Sequence, residues 1–116
     1  MKVYGIANCD TVKKALKALE GAGFSPELVD IRKNPLKQAE IERFFSVFGE
    51  ALVNRRSTTW RGLSQEVRDQ APERLISAHP TLMKRPVIEA EGVLTLGWDK
   101  SVQARWLGSG AQEAYL

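Results

Sequence analysis

One cysteine, one histidine and no long apolar run set the first limits on this sequence of 116 residues. A lone cysteine excludes the intramolecular disulfide framework that a small secreted domain often needs. A lone histidine beside it leaves no cluster of His and Cys to hold a metal. No stretch approaches the roughly 20 apolar residues of a membrane-spanning helix. The opening "MKVYGIANC" has neither the apolar core nor the small-residue cleavage site of a signal peptide. Low-complexity segments and internal repeats are absent. The expectation is a cytoplasmic protein with no membrane association, no metal and no tightly bound cofactor.

Charge adds little. The formal net charge of +3 comes from residues of mixed sign. Lys13, Lys14 and Lys17 share a helix face, and "NRRSTTWR" at 54–61 forms a second basic group. A solvated surface accounts for the lysines, and neither group has the aromatic-interleaved stripe of a nucleic-acid binder. No nucleic-acid partner is expected.

The length allows one domain with a single modest core. "KVYGI" (2–6) is short, apolar and β-favouring, which describes a buried strand. From Asp10 the period changes: Val12, Ala15, Leu16 and Leu19 fall at i, i+3, i+4 and i+7, the pattern of an amphipathic helix stopped by Gly21 and Gly23. "PELVDI" (26–31) reads as a second strand, completing a unit of βαβ size. Ile41, Phe44, Phe45 and Phe48 predict a helix over 38–48, and "NRRSTTWRGL" reads as a loop. Ser64 is a cap for a short helix over 66–70. Pro72 suits the first turn of another that carries Leu75, Ile76 and Leu82. "PVIEA" and "VLTLGW" flank a tight turn at Glu91–Gly92, and Asp99 caps a last helix bearing Val102 and Trp106, ended by Gly108 and Gly110. The order β-α-β, helical insert, β-β-α gives an α/β fold: a mixed four-stranded sheet with helices packed on it. The insert at about 38–83 is read as part of a single domain spanning 1–116, because its apolar residues are too few to bury one another alone.

Cys9 stands where strand gives way to helix. A residue there faces unpaired backbone N–H groups and the positive end of the helix dipole, which favour negative charge on sulfur. The thiolate is the nucleophilic form. Asn8 and Thr11 are candidate hydrogen-bond donors to the sulfur; Asp10 opposes its charge and Lys13 and Lys14 offset Asp10. The plainer alternative is a small buried hydrophobe with an unreactive thiol. Val12 occupies the position where a C-x-x-C pair carries its second cysteine. If Cys9 reacts, an external thiol must clear the mixed disulfide, and glutathione is the obvious cytosolic choice. His79 precedes Pro80 in a surface-like stretch and is not expected to pair with Cys9.

"MKRPVI" (83–88) is the second site of interest. Proline is tolerated at a strand's first residue, and a cis bond at Arg85–Pro86 would be a deliberate feature. Arg85 is either an exposed arginine or a guanidinium that grips a carboxylate or other anion by paired hydrogen bonds. Arg55, Arg56 and Arg61 are similar candidates from a loop.

Three segments together, "YGIANCDTVKKALKAL", "ALVNRRSTTWRGL" and "HPTLMKRPVI", resemble the glutaredoxin-type arsenate reductase family, whose fold is thioredoxin-like with a helical insertion. They cover most of the chain in the family's order. The "NCDT" and "RSTTWR" forms look most like the small YffB-type members, close to the Spx-like regulators. The resemblance implies that Cys9 is the nucleophile, Pro86 a cis-proline beside it and Arg85 the anion-binding arginine. A further family arginine falls at Asn54, with Arg55 and Arg56 immediately after; Arg56 is favoured as its substitute. The departures are Gly5 where the arsenate reductases have histidine, Val12 where they have serine, and Leu96–Gly97–Trp98 where another arginine is placed. A charged hydrogen bond is worth on the order of 1.5–3 kcal/mol, so one absent arginine lowers oxyanion affinity by roughly tenfold or more.

Residues and resemblance together point to a glutathione-dependent thiol/disulfide reductase acting through Cys9. Glutathione is the co-substrate, with its carboxylates held by Arg85 and Arg56 and its backbone by the main chain before Pro86. Asn8, Thr11 and Arg55 complete the binding set. One alternative is reduction of arsenate or another oxyanion. Another, of a different class, is a Spx-like adaptor that binds RNA polymerase, although Val12 removes the C-x-x-C sensor of such switches.

Overall fold

Four short strands carry the apolar stretches at the two ends of the chain. They are β1 (Lys2–Gly5), β2 (Glu27–Asp30), β3 (Val87–Ala90) and β4 (Val93–Leu96), ordered β2-β1-β3-β4. The computed structural model describes residues 1–108. β1 pairs antiparallel with β3 (Val3 opposite Ile88, Tyr4 opposite Val87), and β3 pairs antiparallel with β4 (Val87 opposite Leu96, Ala90 opposite Val93). Helix α1 (Asp10–Gly21) links the neighbours β1 and β2, so the sheet is mixed, as the β-α-β order predicts. The remaining helices are α2 (Gln38–Phe48), α3 (Thr58–Arg61), α4 (Gln65–Arg68), α5 (Pro72–Ala78) and α6 (Lys100–Leu107). The chain divides into two compact units, one of residues 1–29 with the chain from Arg85 onward, the other of residues 30–84.

In the first unit Val3, Val12, Leu19 and Ile88 are fully buried together, with Cys9, Leu16, Phe24, Trp98 and Trp106 packed against them. Each such aliphatic side chain contributes about 1.5–3 kcal/mol of burial. Helix α1 ends as its glycines predict, by a Schellman turn. Gly23 has φ +95°, its N–H donates to Glu20 O, and the Phe24 N–H donates to Leu19 O at 3.0 Å. The hairpin turns on Glu91 (φ 50°) and Gly92 (φ 77°), the paired positive φ of a two-residue turn. At α6 the Val102 N–H donates to Asp99 Oδ1 at 2.9 Å. Removing this cap in Asp99→Ala is expected to cost about 1 kcal/mol, read as a lowered midpoint in urea. Gly108 (φ 73°) ends α6; the second expected stop, Gly110, lies outside the described residues.

In the second unit α2 packs on α5, with Ile41, Phe44, Leu75 and Ile76 buried. Two of its elements differ from the sequence reading. "NRRSTTWRGL" is not wholly a loop: Ser57 accepts from the Trp60 N–H at 3.1 Å and starts the single turn of α3. Leu82 is not on α5, because His79 precedes Pro80 and a residue before proline is steered out of the helical region; Leu82 closes a separate 3-10 turn, Pro80–Leu82. Beyond that turn the chain returns antiparallel to residues 52–54. Val53 bridges Met83, the Asn54 N–H donates to Leu82 O at 2.7 Å, and the Lys84 N–H donates to Leu52 O at 2.8 Å.

Candidate active site

Cys9 is the N-cap residue of α1, with extended backbone (φ −87°, ψ 122°). Its N–H donates to Ile6 O at 3.1 Å, and its carbonyl accepts the helix's first bond from Lys13 N–H at 3.0 Å. An N-cap side chain is the one that meets the free N–H groups of the first turn. The thiol makes no such cap bond, and it is half-buried and free. One side of Cys9 therefore rests on the core cluster while its sulfur is unengaged at the positive end of a helix of 12 residues. Asn8 and Thr11 flank it, both exposed, and among the described residues neither hydrogen-bonds the sulfur.

The strand register brings the second predicted segment to the same end of the sheet. Tyr4 is opposite Val87, so Gly5 and the turn leading to Cys9 run out of β1 where Arg85 and Pro86 lead into β3. Pro86 is buried and its bond to Arg85 is cis, as the resemblance implies. Its carbonyl accepts from the buried Gly97 N–H at 2.8 Å, which ties the end of β4 to the same place. Arg85 is half-buried, with its Nε enclosed. Cys9, Asn8, Thr11, Arg85 and Pro86 thus gather at one end of one unit, joined there by Gly97 and Trp98.

Arg55 and Arg56 belong to the other unit. They line an open groove of about 610 Å³ with Glu50, Asn54 and Lys84. Asn54, at the place of the family arginine, builds the local turn: its Oδ1 accepts from the Arg56 N–H at 3.1 Å, and its carbonyl accepts from Ser57 Oγ at 2.8 Å. The Arg55 guanidinium lies 5.3 Å from the Trp60 ring centroid and 3.8 Å from Glu50 Oε1. Arg68 lies 5.4 Å from the same ring and donates to the carbonyls of Trp60 and Arg61. The sequence reading did not single out Trp60, Arg68 or Lys84. An Arg–Arg–x-x-x-Trp spacing across a capped turn was the available signal for the first contact; nothing local marks Lys84. Among the described residues no group of His, Cys, Asp and Glu fits a metal ion, and no helix is long and apolar enough to cross a membrane.

A model of the ArsC family matches residues 4–105. An uncharacterized protein of Haemophilus influenzae is 41% identical over 108 residues, covering 88% of this chain and 95% of that protein. An arsenate reductase of Rhizobium meliloti is 28% identical over 94 residues, covering 76% of this chain and 67% of the other. Among solved structures, that of a YffB protein superposes with a TM-score of 0.83 at 29% identity, covering 91% of this chain and 97% of that one.

Proposed function

The chain, with its thioredoxin-like α/β fold, belongs to the ArsC family and is a thiol-dependent oxidoreductase, and on that premise we propose that it reduces glutathione mixed disulfides through Cys9 alone. The observation that carries this reading is the single thiol of the 116 residues, unengaged at the N-cap of α1.

The Cys9 thiolate attacks the glutathione sulfur of a mixed disulfide. The new bond is Cys9–S–S–glutathione, and the substrate leaves as its thiolate and takes a proton from water. With no second cysteine in these 116 residues, the adduct has no internal route of release. A second glutathione thiolate attacks the glutathionyl sulfur, frees the Cys9 thiolate and leaves as oxidised glutathione. In sum, the mixed disulfide and one free glutathione become the substrate thiol and oxidised glutathione. The substrate sulfur is reduced, the incoming glutathione sulfur is oxidised by the same amount, and the transferred glutathionyl sulfur stays at the disulfide level. Arg85 supports this by offering a cation at the same end of the sheet for a peptide carboxylate. Asn8 and Thr11, exposed on either side of Cys9, are the uncharged polar side chains nearest to it in sequence and are offered to the arriving peptide. The setting is the reducing cytoplasm, where glutathione is plentiful.

Arsenate is the weaker substrate. Where the resemblance sets a further oxyanion arginine, this chain has Leu96, Gly97 and Trp98, and Gly97 is buried with its N–H committed to Pro86.

Intact-mass measurement tests the chemistry. Reduced protein mixed with a small glutathione disulfide is expected to gain one glutathionyl group on Cys9 and to lose it when free glutathione is added. An adduct that fails to form, or that survives excess glutathione, would sink the reading.

A further inference from the structure

We infer that the groove of the helical insert is a recognition site for a peptide bearing two carboxylates, with Arg56 and Lys84 as its binding cations and Asn54 positioning Arg56. The inference deepens the reading above, since glutathione is the peptide of that chemistry which the proposed reaction consumes.

The groove's size argues first. At about 610 Å³ it is far larger than one tetrahedral oxyanion needs, and it lies within the roughly 300–1,000 Å³ of small-ligand sites. Its charge argues next. Three cations, Arg55, Arg56 and Lys84, face one carboxylate, Glu50. They are not equivalent. Arg55 is occupied by Glu50 at 3.8 Å and by the Trp60 ring, which Arg68 holds in turn through the Trp60 and Arg61 carbonyls. Arg56 and Lys84 are exposed, and among the described residues their side chains make no hydrogen bond or ion pair. Two cations are therefore available for a ligand, and they come from different stretches of chain, which suits carboxylates at the two ends of a short peptide.

The backbone under these two cations is fixed. The ladder through Val53 and Met83 sets Asn54 and Lys84 against their partners Leu82 and Leu52. Asn54 Oδ1 accepts from the Arg56 N–H, so the position of the family arginine holds the turn that presents the next cation but one.

Calorimetric titration of Cys9→Ser protein with S-methylglutathione separates binding from thiol chemistry. Arg56→Gln and Lys84→Gln are each expected to weaken binding on the order of tenfold, and added salt to weaken it further. Arg55→Gln is expected to weaken it less. Asn54→Ala is expected to weaken binding as Arg56→Gln does, and Asn54→Ser, which keeps an oxygen for the Arg56 N–H, to recover part of the loss. Undiminished binding in Arg56→Gln and Lys84→Gln overturns the inference even if Cys9 still forms its adduct. Inorganic sulfate binding as tightly as S-methylglutathione overturns the peptide assignment. A failed adduct with intact, groove-dependent binding instead overturns the proposed reaction and leaves the groove.

Discussion

Cys9→Ser is expected to abolish turnover of a glutathione mixed disulfide, measured as NADPH consumption coupled through glutathione reductase, without loss of thermal stability. The two halves have separate causes. Serine replaces a thiolate by a hydroxyl that neither ionises under the assay conditions nor attacks sulfur, and no other thiol exists in the chain to take over. The helix, by contrast, gains. Cys9 is an N-cap without a cap bond, whereas serine is among the preferred N-cap residues, its hydroxyl worth about 0.5–2 kcal/mol against a side chain that does not cap. Against this stands a weaker packing of residue 9 against the Val3, Val12, Leu19 and Ile88 cluster, since a hydroxyl is less apolar than a thiol. The balance predicts a melting temperature equal to or above that of the parent. A variant that loses activity together with several degrees of stability would point to a structural thiol, and one that keeps turnover within tenfold would remove Cys9 from the mechanism.

Elements with a strong hydrophobic period were legible from residues alone. Val12, Ala15 and Leu19 mark the buried face of α1, Ile41 and Phe44 that of α2, and the Glu91–Gly92 turn fixes the hairpin register. Short polar elements are legible only through their caps: Ser64 marks α4, while α3, a single turn with no buried residue, has only its Ser57 cap to announce it amid the polar stretch read as loop. Period alone places Leu82 on α5, but that helix ends at Ala78, ahead of Pro80. The site divides in the same way. Cys9 at a strand-to-helix junction and Arg85–Pro86 at a strand's start are local patterns, and the pairing of Tyr4 with Val87 then brings them to one end of the sheet. Asn8 and Thr11 are the candidate donors that the sequence offers to the sulfur, yet both are exposed and among the described residues neither bonds to it. The groove escaped the reading because it depends on Lys84 returning beside residues 52–54, a pairing across some thirty residues that no window of sequence contains.

Gly5 and Val12 carry the last prediction, and they explain why this chain has one thiol where a C-x-x-C motif has two. A Cβ on Gly5 would stand 2.7 Å from Val12 Cγ2 and 3.1 Å from Cγ1. Val12 is fully buried, and a β-branched side chain in a helix has essentially one rotamer, so it has nowhere to turn. Gly5→Ala is therefore expected to destabilise the protein by about 1–3 kcal/mol, the usual cost of overpacking, read from urea midpoints. Val12→Ala alone should also destabilise, by about 2 kcal/mol, through lost burial and the cavity left behind. The double variant should cost less than the sum of the two, because the methyl added at residue 5 enters space vacated at residue 12. Additive losses would show that α1 shifts as a body rather than meeting strand β1 through this contact. The expected coupling accounts for both departures from the arsenate reductase pattern at once, since a large residue at 5 requires a small one at 12 and the present pair reverses that arrangement. The position of a second thiol is thus filled by a core valine packed between α1 and β1, and in the proposed reaction the release of Cys9 falls to a thiol from outside.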